Sequence, residues 1–233
     1  MRVWWGRPLL GNPGRTWGWL ALAGCVVVVV ALGLPLRGQA GPDSFDAAVD
    51  APVIAFFASY HGLLPWLAWP ATAVPGIAVS AAAAIGCLVA RRLSGALLAV
   101  AAVPVAVALD DAVLKHLFHR TYLGQLAFPS GHATSVSAQA AMLAVLLLVP
   151  PRHRRTQAAR VALVAVFCVV TLATAAGVIA LRWHYFTDTV AGVAVGTGTV
   201  LALALLIDLA SAVFSNRQET PRRPRSAHRA GRL

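Results

Sequence analysis

The stretch VALVAVFCVVTLATAAGVIAL, from Val161 to Leu181, contains no charged side chain. At 1.5 Å per residue in an α-helix, it is long enough to cross a hydrocarbon core of about 30 Å. Only α-helices and closed β-barrels satisfy all their backbone polar groups in lipid, and this stretch is too long and too uniformly apolar for a barrel strand. It therefore predicts a transmembrane helix.

Comparable apolar stretches recur along the chain, which is 59% hydrophobic and only 12% charged. Soluble domains usually carry about 25% charged residues. The sequence therefore predicts an all-α integral membrane protein, with a bundle of six transmembrane helices in residues 1–214 and a basic disordered tail in residues 215–233. The predicted spans are Trp17–Leu36, Pro70–Ala90, Leu93–Leu114, His132–Val149, Val161–Leu181 and Thr189–Val213.

Two segments near the N-terminus need separate interpretation. The first span has a basic start like a signal peptide, but its apolar run is long and no clear small-residue cleavage site follows it, which favours a retained helix. The segment Phe45–Trp69 is predicted to be an amphipathic or interfacial helix that leads into the second span. Trp66 and Trp69 would be its anchors at the membrane interface.

The distribution of basic residues fixes an orientation. The net charge of +11 suggests nucleic-acid binding at first. With both termini in the cytoplasm, however, fifteen of the 19 Lys and Arg residues lie on the cytoplasmic side, as the positive-inside rule requires. We therefore expect a multi-pass cell-membrane protein with no nucleic-acid partner. The basic tail would serve as a topology signal or contact anionic lipid headgroups.

Several ionisable residues collect at the outer ends of the predicted spans. Ionisable groups in and near membrane helices are costly and usually functional. The three cysteines, by contrast, lie inside spans and form neither a disulfide framework nor a zinc site. The residues that the topology brings to the outer face are Lys115, Arg120, Ser130, Gly131, His132, Arg182, His184 and Asp188.

The motif PSGH, Pro129 to His132, is typical of a helix start that faces an anion. Proline ends a preceding helix, and Ser130 is a good N-cap. Gly131 allows a backbone or ligand to approach closely. The free N–H groups and the positive dipole end of the fourth span would then point at an anion such as phosphate.

The motif HYFTD places His184 and Asp188 four residues apart. On a helix, this spacing brings the carboxylate within hydrogen-bonding reach of the imidazole. Such a bond fixes the tautomer and makes the other ring nitrogen a better nucleophile or base. Upstream, Lys115 offers a point charge and Arg120 a planar fork, and both suit phosphate oxygens.

Each motif also has a purely structural explanation. PSGH can be a simple helix start, the His–Asp pair can cap the sixth span, and the basic residues can be snorkelling at span ends. Two histidines, one carboxylate and three cations on one face are harder to explain in this way. Together they indicate a phosphoryl-transfer site that works by positioning and charge stabilisation, with no metal and no cofactor.

Lys115…Arg120, PSGH and His184-x-x-x-Asp188, in this order, resemble the type-2 phosphatidic acid phosphatase superfamily, whose membrane members have six spans and act on lipid phosphates and pyrophosphates. The resemblance implies that His184 is the nucleophile that forms a phosphohistidine, with Asp188 as its orienting carboxylate. It implies that His132 is the general acid that protonates the leaving oxygen. The residues that it assigns to phosphate binding are Lys115, Arg120, Ser130 and Gly131.

The sequence departs from the usual family pattern in two motifs. The family's first motif usually separates Lys and Arg by six residues and continues with Pro, whereas four residues intervene here and Thr121 follows. Its third motif usually has a Ser-Arg pair where this chain has Gly177 and Val178. Arg182 is predicted to replace the missing arginine in phosphate binding if the fifth span ends before it. Otherwise it is an interface anchor beside Trp183.

The predicted function is a metal-independent lipid phosphatase whose site faces the periplasm or the extracellular side. Its partner would be a phosphorylated lipid, with undecaprenyl pyrophosphate, phosphatidic acid, phosphatidylglycerol phosphate and a polyprenyl phosphosugar phosphate all open as substrates. A lipid phosphotransferase using the same histidine and a non-catalytic lipid-binding relative are the alternatives. A transporter would depend on Asp110, Asp111 and Asp208, but no inverted repeat favours it.

Overall fold

The computed structural model describes residues 8–148 and 154–219, which are almost entirely helical. A π-helical turn, Asp110–Leu114, connects the fifth helix to the sixth, and a small antiparallel hairpin of β1 (Thr121–Tyr122) and β2 (Gln125–Leu126) follows. The α-helices are α1 Gly11–Leu36, α2 Ser44–Phe57, α3 Leu64–Ala68, α4 Ala73–Val89, α5 Leu93–Leu109, α6 Lys115–Phe118, α7 Gly131–Leu148, α8 Arg154–Ala180 and α9 Phe186–Glu219.

Five helical segments of the described chain are long and apolar enough to cross a membrane. They are Gly11–Leu36, Leu93–Phe118, Gly131–Leu148, Thr156–Ala180 and Phe186–Val213. The second predicted span corresponds to α4, which has 17 residues and so lies at the lower end of the length range for a transmembrane helix, about 17–25 residues. The prediction of an all-helical membrane bundle is therefore confirmed.

The outer surface of the bundle has the character of a lipid-facing surface. Large apolar side chains point away from the protein on several helices, among them Val27 of α1, Val89 of α4 and Leu172 of α8. In water this exposure would be costly, since apolar area costs about 25 cal/mol per Å². In a bilayer the lipid tails cover it, so the exposed apolar surface is consistent with a membrane-embedded bundle.

The segment predicted as one interfacial helix, Phe45–Trp69, is divided in the structure. Helix α2 and the segment His61–Ala71, which contains α3, are bent by 99° relative to each other. The side chain of Asp43 caps α2 by accepting a hydrogen bond from the Asp46 backbone N–H at 2.7 Å. Both Trp66 and Trp69 are exposed, as expected of interface anchors.

Helices α7 and α9 form the centre of the bundle. A Cβ atom at Gly196 of α9 would lie 2.4 Å from the Thr134 carbonyl oxygen and 2.2 Å from Ser137 Oγ, so only glycine permits this approach. Thr134 Oγ1 donates to the Gly192 carbonyl at 3.2 Å across the same contact. Small residues and interhelical hydrogen bonds of this kind hold membrane helices together. Since both helices begin at the same end of the bundle, the packing brings the PSGH and HYFTD motifs together.

The opposite end of α9 is tied to the start of the chain. Asp208 is buried and accepts hydrogen bonds from the backbone N–H groups of Leu9 at 2.6 Å and Leu10 at 3.1 Å. Its carboxylate also lies 3.6 Å from Arg15 Nε. This residue therefore secures the N-terminal end of α1. A transport function would have depended on three carboxylates, and this structural role accounts for one of them.

The predicted tail overlaps the last helix. Helix α9 continues to Glu219, so residues 215–219 are helical rather than disordered. The rest of the predicted tail, residues 220–233, lies outside the described residues. Cys25, Cys87 and Cys168 are all free thiols in the structure.

Candidate active site

A cavity of about 450 Å³ opens where α7 and α9 begin. Apolar side chains of Val107, Leu123, Leu126 and Trp183 form part of its wall. Five of the eight predicted site residues also line it, namely Lys115, Gly131, His132, Arg182 and His184. The other three predicted residues, Arg120, Ser130 and Asp188, are completely buried behind this wall.

Ser130 caps helix α7, as the PSGH motif predicted. Its Oγ accepts a hydrogen bond from the Ala133 backbone N–H at 3.4 Å. Its own N–H donates to the Asp188 carbonyl oxygen at 3.0 Å, which joins the start of α7 to the start of α9. The Ser130 side chain therefore organises the helix start and does not itself line the cavity, which differs from its predicted role as a phosphate ligand.

Gly131 allows three charged groups to come close to the first turn of α7. A Cβ atom at this position would lie 3.3 Å from Asp110 Oδ2, 3.5 Å from Lys115 Nζ and 3.7 Å from Asp111 Oδ1. The contact with Asp110 would be tight, and the other two would be ordinary van der Waals contacts. The glycine thus keeps the backbone at the start of α7 accessible from the cavity, next to the lysine.

His184 presents a defined ring nitrogen to the cavity. Its Nδ1 lies 2.9 Å from the carbonyl oxygen of Ala127. A carbonyl oxygen only accepts, so Nδ1 carries the hydrogen in the neutral ring and Nε2 keeps the lone pair. Nδ1 lies 3.8 Å from Asp188 Oδ2, beyond hydrogen-bonding distance. The expected His–Asp hydrogen bond is therefore replaced by one to the backbone of the loop before PSGH.

Asp188 lies close to the nucleophile candidate but bonds to other groups. Its Oδ2 accepts from the Tyr185 backbone N–H at 3.0 Å, which closes the first turn of α9. Its Oδ1 lies 2.7 Å from Nη1 of Arg120. At 3.8 Å from the imidazole, the carboxylate still acts on the charge of the ring through Coulomb attraction.

His132 faces His184 across the cavity, with 6.1 Å between the ring centroids. His132 also packs against the indole of Trp183 at a centroid distance of 5.3 Å. Reacting atoms in a near-attack arrangement are about 3–3.5 Å apart. The gap between the two imidazoles therefore has the size that one phosphorus centre needs if it is to be within reach of both.

Arg120 lies at the centre of a buried network. Its Nη1 donates to Thr187 Oγ1 at 2.7 Å as well as to Asp188, its Nη2 contacts Asp46 Oδ2 at 2.5 Å, and its guanidinium lies 4.4 Å from the centre of the Tyr185 ring. Burial lowers the pKa of Arg120, but Asp188 and Asp46 raise it by more, so the net pKa lies above its ordinary value.

This position does not agree with the predicted phosphate-binding role of Arg120. Both terminal nitrogens are already bonded to carboxylates, and the side chain is fully buried and forms no part of the cavity wall. The shorter spacing between Lys115 and Arg120, noted in the sequence, accompanies this change. Arg120 joins α2, α9 and the loop after α6 from behind the cavity.

Lys115 points into the cavity from the end of the π-helical turn. Its Nζ lies 2.6 Å from Asp111 Oδ1 and 3.6 Å from Asp110 Oδ2. Asp110 is fully buried, and neither of its carboxylate oxygens has a hydrogen-bond partner among the residues that the structure describes. The π-helical turn, a feature frequent at functional sites, thus places two carboxylates beside the lysine that is expected to bind phosphate.

Arg182 fulfils the condition on which its predicted role depended. Helix α8 ends at Ala180, and Arg182 takes a left-handed backbone conformation with φ of 59°. This change of direction lets the arginine line the cavity beside His184. Val178, where the family usually has arginine, is buried, and a Cβ atom at Gly177 would lie 2.7 Å from Leu67 Cβ. Packing against α3 thus takes the place of the usual Ser-Arg pair.

Sequence reasoning missed two side chains, Asp46 and Thr187, and the Ala127 carbonyl. The chain has only eight acidic residues, and five of them are buried, namely Asp46, Asp50, Asp110, Asp188 and Asp208. Scarce carboxylates in an apolar chain were a usable signal, because a buried charge needs a partner. Within the described residues, no group of three or more His, Cys, Asp or Glu side chains is arranged to hold a metal ion.

Comparison with curated proteins and with solved structures gave no match. Residues 104–211, just under half of the 233 residues, match the family model of the PAP2 superfamily. The matched segment contains all eight predicted site residues and both histidines that face each other in the cavity. This match confirms the resemblance of the three motifs to the PAP2 superfamily and supports a phosphatase-type function in general.

Proposed function

We propose that the protein is a membrane lipid phosphatase that hydrolyses a lipid phosphate or pyrophosphate through a phosphohistidine at His184. The observation that carries this proposal is the pair of imidazoles, His132 and His184, 6.1 Å apart in a cavity that also contains Lys115 and Arg182. The hydrogen bond from Nδ1 to Ala127 leaves Nε2 of His184 free to act as a nucleophile.

The reaction has two steps. In the first, Nε2 of His184 forms a bond to phosphorus, the bond between phosphorus and the leaving oxygen breaks, and His132 gives its proton to that oxygen. In the second, water attacks the phosphohistidine, His132 takes a proton from the water, and inorganic phosphate leaves with His184 restored. The nearby carboxylate of Asp188 stabilises the positive charge on the ring between the two steps.

The phosphate oxygens would be bound by groups that line the same cavity. Lys115 and Arg182 approach from different segments and supply positive charge. The first N–H groups of α7, at Gly131 and His132, add the positive end of a helix dipole. A phosphoryl-transfer enzyme depends mainly on such positioning and charge stabilisation, which supports the assignment of this cavity to phosphate.

An apolar groove beside the cavity supports a lipid substrate. It has a volume of about 460 Å³ and is lined by α4 and α5, including Ile77, Val100 and Val103. It shares Ala71, Val107 and Ser135 with the active-site cavity. A phosphate held at the two histidines would therefore have its apolar chain directed along this groove. We propose undecaprenyl pyrophosphate as one candidate for this lipid substrate.

The orientation is proposed from the distribution of charge. The cavity lies at the end of the bundle opposite to Asp208 and Arg15. In the topology predicted from the sequence, fifteen of the 19 Lys and Arg residues lie on the side of Asp208, so the positive-inside rule assigns that side and both termini to the cytoplasm. The active site would then open on the periplasmic or extracellular face of the membrane.

The test is phosphate release by purified protein in detergent with EDTA present. Undecaprenyl pyrophosphate, phosphatidic acid and phosphatidylglycerol phosphate are offered separately, to wild type, His184→Ala and the control His116→Ala. His116 is exposed and does not line the cavity, so its replacement should leave the rate unchanged. We expect His184→Ala to lose turnover about 1,000-fold or more.

Two results would contradict the proposal. Equal rates for His184→Ala and wild type would remove the nucleophile assignment. If folded wild type releases phosphate from none of the three lipids, the hydrolysis proposal fails for them. A mass-labelled sugar or headgroup acceptor then tests whether the same histidine passes its phosphoryl group to an alcohol instead of water.

A further inference from the structure

Helix α2 contributes a carboxylate to the active-site network from outside the segment that matches the family. Asp46 is completely buried, and its Oδ1 accepts from the Thr187 backbone N–H at 2.9 Å. Its Oδ2 accepts from Thr187 Oγ1 at 2.9 Å and lies 2.5 Å from Nη2 of Arg120. One carboxylate therefore bonds both to the first turn of α9 and to the arginine that holds Asp188.

The network has two carboxylates for one arginine. Arg120 contacts Asp46 through Nη2 and Asp188 through Nη1, and all three side chains are completely buried. A single pair of Arg120 and Asp188 would be neutral. With Asp46 added, the three groups carry a net charge of about −1, and in a buried site such a charge acts strongly on its neighbours. The nearest catalytic group is His184, whose Nδ1 lies 3.8 Å from Asp188 Oδ2.

We propose that Asp46 is a positioning residue that shares Arg120 with Asp188, so that net negative charge remains beside His184. The proposal rests on the proposed function, in which His184 becomes positively charged when it takes the phosphoryl group. With Asp46 in place, Arg120 cannot fully neutralise Asp188. The carboxylate then stabilises both the phosphorylated ring and the protonated ring.

Other charged and titratable groups face the same region, and the variants used in the test leave these side chains unchanged. From α2, Asp50 accepts a hydrogen bond from the Phe186 backbone N–H at 3.1 Å. Beside the guanidinium, Tyr185 packs against Tyr122 with 4.6 Å between ring centroids. Those that line the cavity with His184 are His132, Lys115, Asp111 and Arg182.

The test compares pH–rate profiles of wild type, Asp46→Asn and the control Asp43→Asn. In Asp46→Asn the new side chain keeps an oxygen for the Thr187 N–H but loses the charge. Asp43 lies at the same helix start. Among the contacts described, its side chain bonds only to the Asp46 backbone N–H, and asparagine caps a helix as well as aspartate does. Asp43→Asn therefore removes a nearby charge without changing the network.

For Asp46→Asn we expect a lower turnover rate and an acid-side midpoint that moves to lower pH by about half a unit or more. The midpoint moves to lower pH because loss of negative charge disfavours the protonated ring of His184. This form cannot act as a nucleophile, so activity persists to lower pH. The substrate and its own ionisation are common to all variants, so the shift belongs to the protein. Asp43→Asn should keep the wild-type midpoint.

A second pair of variants, Arg120→Gln alone and Arg120→Gln combined with Asp46→Asn, includes a shift of the acid-side midpoint in the opposite direction. Arg120→Gln leaves both carboxylates without their cation, so its acid-side midpoint should move to higher pH. Adding Asp46→Asn to Arg120→Gln should bring the midpoint back down by a shift similar to that in the wild-type background. This comparison also carries the test if Asp46→Asn alone does not fold. A merely structural role for Asp46 would lower stability and rate without these opposite shifts.

The outcomes separate this inference from the proposed function. If wild type is inactive, or active without His184, the proposed function fails first. If His184-dependent activity is present but Asp46→Asn has the midpoint of wild type, the inference is overturned even when the rate falls. It is overturned as well if Asp43→Asn and Asp46→Asn shift the midpoint equally, because a general charge effect would then suffice.

Discussion

The positive charge of Lys115 is already shared between two carboxylates before any phosphate arrives. Asp111 Oδ1 is at 2.6 Å and Asp110 Oδ2 at 3.6 Å from its Nζ, and the Asp111 side chain is half exposed at the cavity wall. In the proposed reaction, a phosphate oxygen that binds Lys115 must therefore compete with Asp111. Such a competing carboxylate would weaken phosphate binding but keep the lysine oriented towards the cavity.

Asp111→Asn should bind inorganic phosphate more tightly than wild type. The neutral amide competes less for Lys115 and no longer repels the anion, so we expect the inhibition constant for phosphate to fall about two- to fivefold, the range of an exposed ion pair. Competitive inhibition of lipid turnover by phosphate measures this, with Asp43→Asn as the charge-matched control. An unchanged or higher inhibition constant would mean that Asp111 mainly orients Lys115.

Single residues also show how far the sequence could lead. His132, His184 and Ser130 could be singled out in the sequence because their motifs are local: a helix start and a spacing of four residues. The position of Arg182 could be predicted because only a helix end before it would turn it towards the site. Asp46 could not be found in this way, because its contact with Arg120 joins residues 74 apart, and nothing near Asp46 in the chain indicates that contact.

The helical segments also differ in how well the sequence predicted them. The long spans were recovered from hydropathy, since each must satisfy the length of the bilayer by itself. The bend between α2 and α3 and the π-helical turn at Asp110–Leu114 were not predicted, because tertiary contacts determine them. Both irregular segments serve the site: α2 supplies Asp46, and the π-helical turn leads into Lys115. In this protein the irregular backbone segments thus lie at the candidate site, as π-helical turns frequently do.

The contact between α7 and α9 determines whether the two histidines meet, which makes Gly196→Ala informative. A Cβ atom there would lie 2.4 Å from the Thr134 carbonyl oxygen and 2.9 Å from the Ala138 nitrogen, so the helices must separate. We expect lower thermal stability and a loss of turnover, because His132 and His184 are carried by the two helix starts.

The matched control is Gly24→Ala in α1, where a Cβ atom would meet nothing within 4 Å. The thermal midpoint and kcat of this variant should stay close to wild type. Unchanged stability and turnover in Gly196→Ala would show that the α7–α9 contact tolerates expansion and does not set the distance between the histidines.

The proposed active site and the contacts that hold the N-terminal segment lie at opposite ends of the bundle. The active-site cavity lies at the starts of α7 and α9, whereas Asp208 lies about 33 Å further along α9 from Phe186, at 1.5 Å per residue. At that distant end Asp208 binds the backbone of Leu9 and Leu10, both of which are buried. The two ends of one helix thus carry the proposed active site and the attachment of the N-terminal segment, respectively.

Asp208→Ala tests this separation. It leaves two buried backbone N–H groups without an acceptor, each at a cost of about 1–3 kcal/mol, so the thermal midpoint should fall by about 5 °C or more. Asp208→Asn keeps one oxygen, so its thermal midpoint should lie between those of Asp208→Ala and wild type. Well below the midpoint, kcat and KM should equal those of wild type, because no catalytic group has moved. If Asp208→Ala instead lost phosphate release at full stability, Asp208 would act in the reaction itself, and a coupled transport or proton pathway along α9 would replace the structural assignment.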